Sequence, residues 1–139
     1  MNARAAYDAT LVRDVACRYA RGVDRKDLDL VASCFTPECA YEGALGRGTI
    51  ADALATLRAA LPRYERTMHF MGTQDVAVDG DAARSETYCV AYHVRPDGRH
   101  FTVGVRYLDA LARTADGWRI CRRTVRTEWT REDPASLPG

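Results

Sequence analysis

The sequence predicts a single α+β domain, with three early helices packed on a strongly curved, mostly antiparallel sheet that encloses a pocket. Three observations lead there. Apolar residues recur at helical spacing only within the first 61 positions. From Thr67 onward, β-branched and aromatic stretches alternate with glycine-containing turns. The length of 139 residues suits one domain able to bury a core unaided. The core should run over about residues 8–130, with 131–139 as a tail.

The first helix covers residues 10–23, with Leu11, Val12, Val15, Ala16, Tyr19 and Val23 along one stripe and Thr10 as its N-cap. It should stop near Asp24-Arg25-Lys26-Asp27. Asp27 caps a second short helix through Leu28, Leu30, Val31 and Phe35, ended by Thr36-Pro37. Cys39–Glu42 reads as a short strand, and Gly43, Gly46 and Gly48 mark a loop. Thr49, with Asp52 three residues on, opens a third helix through Ile50, Ala53, Leu54, Leu57 and Leu61, which Pro62 closes. Thr67–Met71 and Val76–Val78 read as two short strands, the second leading into the turn Asp79-Gly80-Asp81. Residues 82–95, 99–113 and 118–129 are long strands joined at Pro96-Asp97-Gly98 and Ala115-Asp116-Gly117. The segment after Thr130 is polar and contains two prolines, so it should fray or drape over the surface.

The bulk numbers exclude several classes. A net charge of +1 gives no strong pull toward nucleic acid or an anionic membrane. The basic residues are nearly all arginine and scattered, apart from a knot at Arg119, Arg122, Arg123 and Arg126. No apolar run approaches the ~20 residues of a membrane span, and the opening residues lack a signal-peptide pattern, so a cytoplasmic location is expected. The five cysteines (17, 34, 39, 89, 121) are odd in number and contain no CxxC, which argues against a disulfide framework and a metal site and for buried thiols. Motifs for phosphate loops, zinc hydrolases and serine hydrolases do not occur.

Residue chemistry singles out a few side chains. A neutral imidazole such as His69 can accept a proton, provided a carboxylate such as Asp24 holds its other nitrogen. Spacing alone favours a core histidine bonded to a carbonyl and a helix-end aspartate. Tyr19 lies on the apolar face of the first helix and could donate a hydrogen bond to a developing oxyanion, or simply pack; Tyr41 is a second candidate for that work. His93, Ala91 and Cys89 share one side of their strand. If that side faces the pocket, His93 can assist a leaving group and Cys89 can contact substrate. Arg106 and Arg123 are mid-strand arginines that need a partner if buried, either a substrate oxygen or a carboxylate such as Glu86 or Asp109.

A resemblance joins these residues. Tyr19-Ala-Arg-Gly-Val-Asp24-Arg-Lys-Asp27-Leu-Asp29, Phe35-Thr-Pro37, Gly46-Arg-Gly48, Thr67-Met-His69-Phe-Met-Gly72, Ala91-Tyr92-His93, Val105-Arg106-Tyr107-Leu-Asp109, Asp116-Gly-Trp118-Arg-Ile120 and Arg123 resemble the SnoaL-like proteins of the nuclear transport factor 2-like superfamily. The resemblance spans roughly residues 8–130. It implies a cone-shaped α+β barrel, and it is closest to the branch of scytalone dehydratase, a bile-acid dehydratase and a dehydrochlorinase. It implies that Asp24 and His69 form a catalytic dyad, that His93 is a second pocket histidine, and that Tyr19 matches a tyrosine five residues before the aspartate. The paired tyrosines of scytalone dehydratase align with Val23 and Gly43, which points to a different substrate.

The expectation is a cofactor-independent lyase acting on a small to medium, largely apolar cyclic molecule, with proton abstraction by the dyad and loss of a β-leaving group. A polyketide-type cyclase or isomerase using the same dyad, and a non-catalytic ligand-binding or assembly module of the same fold, are the alternatives. No cofactor and no metal are expected. The expected partners are a small-molecule substrate and, by resemblance, a second copy of the chain, with dimerisation or higher homo-oligomerisation through the open sheet face.

Overall fold

The computed structural model describes residues 2–134. The element order is α1 (Ala3–Asp24), α2 (Leu28–Ala32), β1 (Phe35–Gly43), β2 (Gly46–Thr49), α3 (Ile50–Ala60), a 3-10 turn (Leu61–Arg63), β3 (Arg66–Asp79), β4 (Ala82–Val94), β5 (His100–Thr114) and β6 (Gly117–Asp133). The six strands form one sheet in the order β2-β1-β6-β5-β4-β3. Every pairing is antiparallel except β1 with β6. The sheet is not closed into a barrel: β2 and β3 are its edges. The helices cover its inner face, where Val12, Val15, Tyr19, Val31, Leu57, Leu61, Tyr107 and Ile120 belong to one apolar core.

Several boundaries differ from the sequence reading. Helix α1 begins at Ala3, capped by Asn2, whose side chain accepts from Ala5 N–H at 2.8 Å. Thr10 is therefore mid-helix and donates its hydroxyl to Ala6 O at 3.2 Å. Its capping chemistry is shared with residues inside helices, and Ala3–Ala6 carry no apolar stripe to reveal the first turns. Asp27 and Thr49 cap α2 and α3 as their spacing predicts. Phe35 starts β1 rather than ending α2, and Pro37 sits where β1 leaves register with β6, between Phe35 and Ala40. The segment read as a glycine loop holds β2, with Gly46 and Gly48 at φ 115° and 151°, values that suit glycine alone. Thr67–Met71 and Val76–Val78 are one strand, β3. Met71 pairs with Cys89 and Gln74 with Thr87, so Gly72 and Thr73 together oppose Tyr88 in a bulge. The bulge shifts the inward residues from Thr67, His69 and Met71 to Gln74, Val76 and Val78, which is why two strands were legible in place of one. Strand β6 runs on to Asp133, three residues into the expected tail, and 135–139 lie outside the described residues.

A second bulge decides what enters the cone. Leu111 pairs with Ile120 but Ala110 pairs with Arg122, which leaves Cys121 as the extra residue. Before it, Trp118 and Ile120 point inward; after it, Arg123 does.

The outer face of the sheet is uncovered. Met68, Phe70, Tyr88, Tyr92 and Trp129 are exposed there. A concavity of about 610 Å³ lies among Phe70, Tyr88, Val90, Gly104, Arg106 and Trp129. No helix among the described residues is long and apolar enough to cross a membrane.

The N-terminal end of α1 is fixed by a buried carboxylate. Asp8 receives Arg113 at 2.9 and 2.8 Å and Trp118 Nε1 at 3.2 Å, while the Arg113 guanidinium stacks over the Trp118 ring at 4.7 Å. The Arg113 hydrogen bonds hold the Asp8 carboxyl well below the usual range, outweighing its burial. A carboxylate lowered in the folded state adds stability above its ordinary value and loses it as pH falls through the folded one. Thermal melting of Asp8→Asn should therefore show a loss of several degrees at pH 7 and a gap to wild type that narrows once pH drops below about 4. An unchanged gap down to pH 3 would contradict the linkage.

Candidate active site

Asp24 is the last residue of α1, beside the opening residues of β3. A carboxylate at a helix C-terminus faces the negative end of the helix dipole, so it needs donors from elsewhere. One strand supplies three. Thr67 Oγ1 donates to Oδ1 at 2.9 Å, the His69 backbone N–H donates to Oδ2 at 2.9 Å, and His69 Nδ1 lies 2.7 Å from Oδ1. Burial favours the neutral acid, but the bonds from His69 and Thr67 outweigh it and hold the Asp24 carboxyl below its ordinary value. An ionised carboxylate only accepts, so Nδ1 of His69 carries a proton, and in the neutral imidazole Nε2 is then the acceptor. The two residues named from sequence are therefore in contact, as a carboxylate-oriented imidazole.

Around them the inner face is aromatic. Tyr19 stands edge-on to His69 with ring centroids 6.1 Å apart, and packs equally against Tyr107 and Phe35. Burial raises the Tyr19 phenol above its ordinary pKa, with Arg123 offsetting part of the rise, so it remains a proton-bearing donor. His93 also faces inward, 6.2 Å from His69 between ring centroids. Its Nδ1 lies 3.1 Å from Phe101 O. A carbonyl can only accept, so this imidazole too is the Nδ1–H tautomer, with Nε2 as an acceptor. Burial, then the neighbouring His69, push its pKa down. Cys89 faces the same side and is buried; burial pushes its thiol up to about 11, which keeps it a neutral wall rather than a nucleophile.

Arg123 lies at the base of this cluster, 1% exposed. It makes two bonds to Asp109, at 2.8 and 2.9 Å, and its guanidinium lies 4.3–5.2 Å from the Tyr107, Tyr19 and Phe35 rings. Its Nη1 has no hydrogen-bond partner among the described residues. Tyr41 is buried with its hydroxyl beside Gly43, and burial pushes its pKa up to about 12.

Arg106 takes up the carboxylate pair with Glu86 that the sequence offered, and its reading as a substrate contact is corrected. Val105, Tyr107 and Asp109 face inward from β5, so Arg106 between them faces out. It bonds Glu128 at 2.8 Å and Glu86 at 3.1 Å across the outer face, away from the dyad. Mid-strand position revealed that it needed a partner but not the side. Sequence reading missed Thr67, whose place two residues before His69 on one strand face was a usable signal, and Tyr107, which shares the inward side with Asp109. It also missed Tyr64, whose ring packs on His93 at 4.8 Å from beyond the third helix. No group of three or more potential metal ligands occurs among the described residues.

The buried Arg123–Asp109 pair sets a test. Removing one partner of such a pair strands the other charge and costs about 3–5 kcal/mol. Arg123→Met should lower the denaturation free energy by about that amount, and Arg123→Met/Asp109→Leu should regain much of the loss in urea melts. Equal stability of the single variant and wild type would mean the pair is not buried as described.

The SnoaL-like domain family matches residues 4–124. An uncharacterized protein of Mycobacterium tuberculosis (strain ATCC 25618 / H37Rv) is 31% identical over 121 residues, spanning 84% of this chain and 82% of that protein. Among solved structures, a candidate scytalone dehydratase from Novosphingobium aromaticivorans superposes with a TM-score of 0.81 at 18% identity, covering 91% of this chain and 88% of that one. The hexachlorocyclohexane dehydrochlorinase LinA-type3 from Novosphingobium barchaimii superposes with a TM-score of 0.78 at 14% identity, covering 94% of each chain. At these identities the two structures show the shared fold. With a family match over most of its length and a helix-covered open sheet of this topology, the chain belongs to the SnoaL-like domain family of the nuclear transport factor 2-like superfamily.

Proposed function

We propose that the protein is a cofactor-independent lyase of the dehydratase type, acting on a small to medium, largely apolar cyclic substrate. The observation that carries this reading is the 2.7 Å contact between His69 Nδ1 and an Asp24 carboxylate bound at three points, which leaves His69 Nε2 free as a base. The names of the two structural neighbours, a dehydratase and a dehydrochlorinase, both describe eliminations and support it. The alternative, a non-catalytic module of this fold, carries the expectation of Asp24 and His69 beyond hydrogen-bond distance, and their 2.7 Å contact favours the enzyme.

In this mechanism His69 Nε2 takes a proton from the carbon next to a carbonyl or similar activating group. Asp24 stabilises the imidazolium that forms. The electron pair of the broken C–H bond becomes the new double bond, the β C–O bond breaks, and the hydroxide leaves as water with the proton that His69 Nε2 took up, which restores the neutral imidazole. The Tyr19 phenol donates a hydrogen bond to the oxygen that gains charge, and Arg123, 4.5 Å over the Tyr19 ring, holds that phenol in place. His93 Nε2 accepts a hydrogen bond from a substrate hydroxyl. Cyclisation and isomerisation begin with the same proton abstraction and differ in the fate of the enolate, which the substrate decides.

A screen of cyclic β-hydroxy ketones and related carbon acids should yield a substrate that wild type dehydrates. His69→Ala and Asp24→Asn should each lower kcat/KM by about 10²–10⁴-fold, the range of general acid–base catalysis. Full turnover by both variants would end this mechanism.

The reading includes a second copy of the chain on the outer sheet face. Five exposed large apolar side chains on one face, around one concavity, support it. Sedimentation velocity should show a dimer or higher oligomer for wild type and a smaller species for Phe70→Asp. A monomeric wild type would remove this part.

A further inference from the structure

The helix that delivers Asp24 ends on a strained residue. Lys26 has φ 54°, and among the described residues it is the one non-glycine with positive φ. Lys26 N–H bonds to Val23 O at 3.0 Å and Asp27 N–H to Gly22 O at 2.8 Å. This pair of bonds is the Schellman ending, whose left-handed position is usually glycine because a Cβ is crowded there. Lysine accepts the crowding and adds an ammonium.

That ammonium spans to another element. Lys26 Nζ donates to Tyr64 O at 2.8 Å. Tyr64 follows the 3-10 turn, its N–H bonded back to Leu61 O, and the next residue, Glu65, donates its N–H to Val94 O on β4. The Tyr64 ring packs on His93 at 4.8 Å, tilted by 55°. His93 neighbours His69, and His69 is bound to Asp24, two residues before Lys26. The contacts thus run in a circuit: Lys26, Tyr64, His93, His69, Asp24 and back through the helix end. Tyr64, His93 and Asp24 are each only partly buried.

We propose that Lys26 and Tyr64 are positioning residues: the lysine latches the Tyr64 backbone in place, and the Tyr64 ring thereby sets the orientation of the His93 imidazole beside His69. The proposal rests on the dyad being the reactive centre. It accounts for a strained lysine where glycine would relax the chain: glycine would keep the helix end but release the Tyr64 carbonyl. The Tyr64 phenol need not touch substrate for this role; its ring face fixes one side of His93 while the Phe101 carbonyl fixes Nδ1.

The chain has three histidines, so NMR of isotope-labelled imidazoles resolves each, with His69→Ala and His93→Ala giving assignments. Lys26→Gly relieves the strain and removes the ammonium, whereas Lys26→Met keeps the strain and removes the ammonium. Both should move the His93 ring signals in the direction that Tyr64→Ala moves them and leave His100 in place, and Lys26→Arg should restore the wild-type positions. Lys26→Gly should melt no lower than wild type, which separates the latch from general loosening. His93 signals unmoved in both Lys26→Gly and Lys26→Met, or His100 moving as far as His93, would overturn the proposal. The dyad has its own readout in the same spectra. The His69 Nδ1 proton should resonate far downfield and be lost in Asp24→Asn, and its absence from wild type would count against the dyad whatever His93 does.

Discussion

Three hydrogen bonds from one strand to the Asp24 carboxylate hold the functional half of this molecule together. Asp24 is placed against local preference, at the end of a helix whose last carbonyls already concentrate negative charge. A surface lysine could have relieved that position. Instead the relief comes from β3, an edge strand with no partner beyond it. The carboxylate thus performs two tasks. It ties the free edge of the sheet to the longest helix, and it fixes the tautomer of the histidine that the edge carries. Docking α1 to β3 and orienting His69 are the same interaction, so the cone cannot assemble at this end without assembling the dyad.

A second constraint works from the base. Arg123 is a full charge in the core, and it exists there because Asp109 meets it with two bonds and three aromatic rings surround its plane. Such a pair is no guarantee of net stability. Its effect is orientation: Tyr19 is pressed between Arg123 and His69, so the phenol has little freedom. The Cys121 bulge makes this possible. Without the extra residue, the inward parity of Trp118 and Ile120 would continue and bring Arg122 inside, leaving Asp109 to face a different neighbour.

These two constraints differ in how far the sequence reveals them. The helix caps at Asp27 and Thr49, the turns at Gly80, Gly98 and Gly117 and the long late strands follow from local chemistry, and local chemistry is what a sequence displays. The Asp24–His69 pairing is separated by 45 residues and became legible through resemblance; the spacing alone favoured a core histidine. Bulges were the main loss. Nothing in Gly72-Thr73 or Cys121 announces an extra residue, and one extra residue reverses every side chain that follows. That is why β3 read as two strands. Arg106 found its carboxylate, Glu86, as its position allowed, but not a place beside the dyad: the alternation along β5 was intact, and which parity faces the helices is decided by packing across the sheet.

The two inner histidines then divide the chemistry by their partners. Both carry the proton on Nδ1 and both keep Nε2 free. His69 gives its N–H to a carboxylate, which can balance the charge of an imidazolium. His93 gives its N–H to a backbone carbonyl, which offers only a dipole, and it is surrounded by Tyr64, Phe101 and the imidazole of His69. Burial and the nearby His69 both oppose a charge on it. The two imidazoles thus sit side by side with unlike partners, a carboxylate for one and a carbonyl for the other. The same inner face holds two imidazoles of one tautomer, and the difference between them is a carboxylate at the end of a helix.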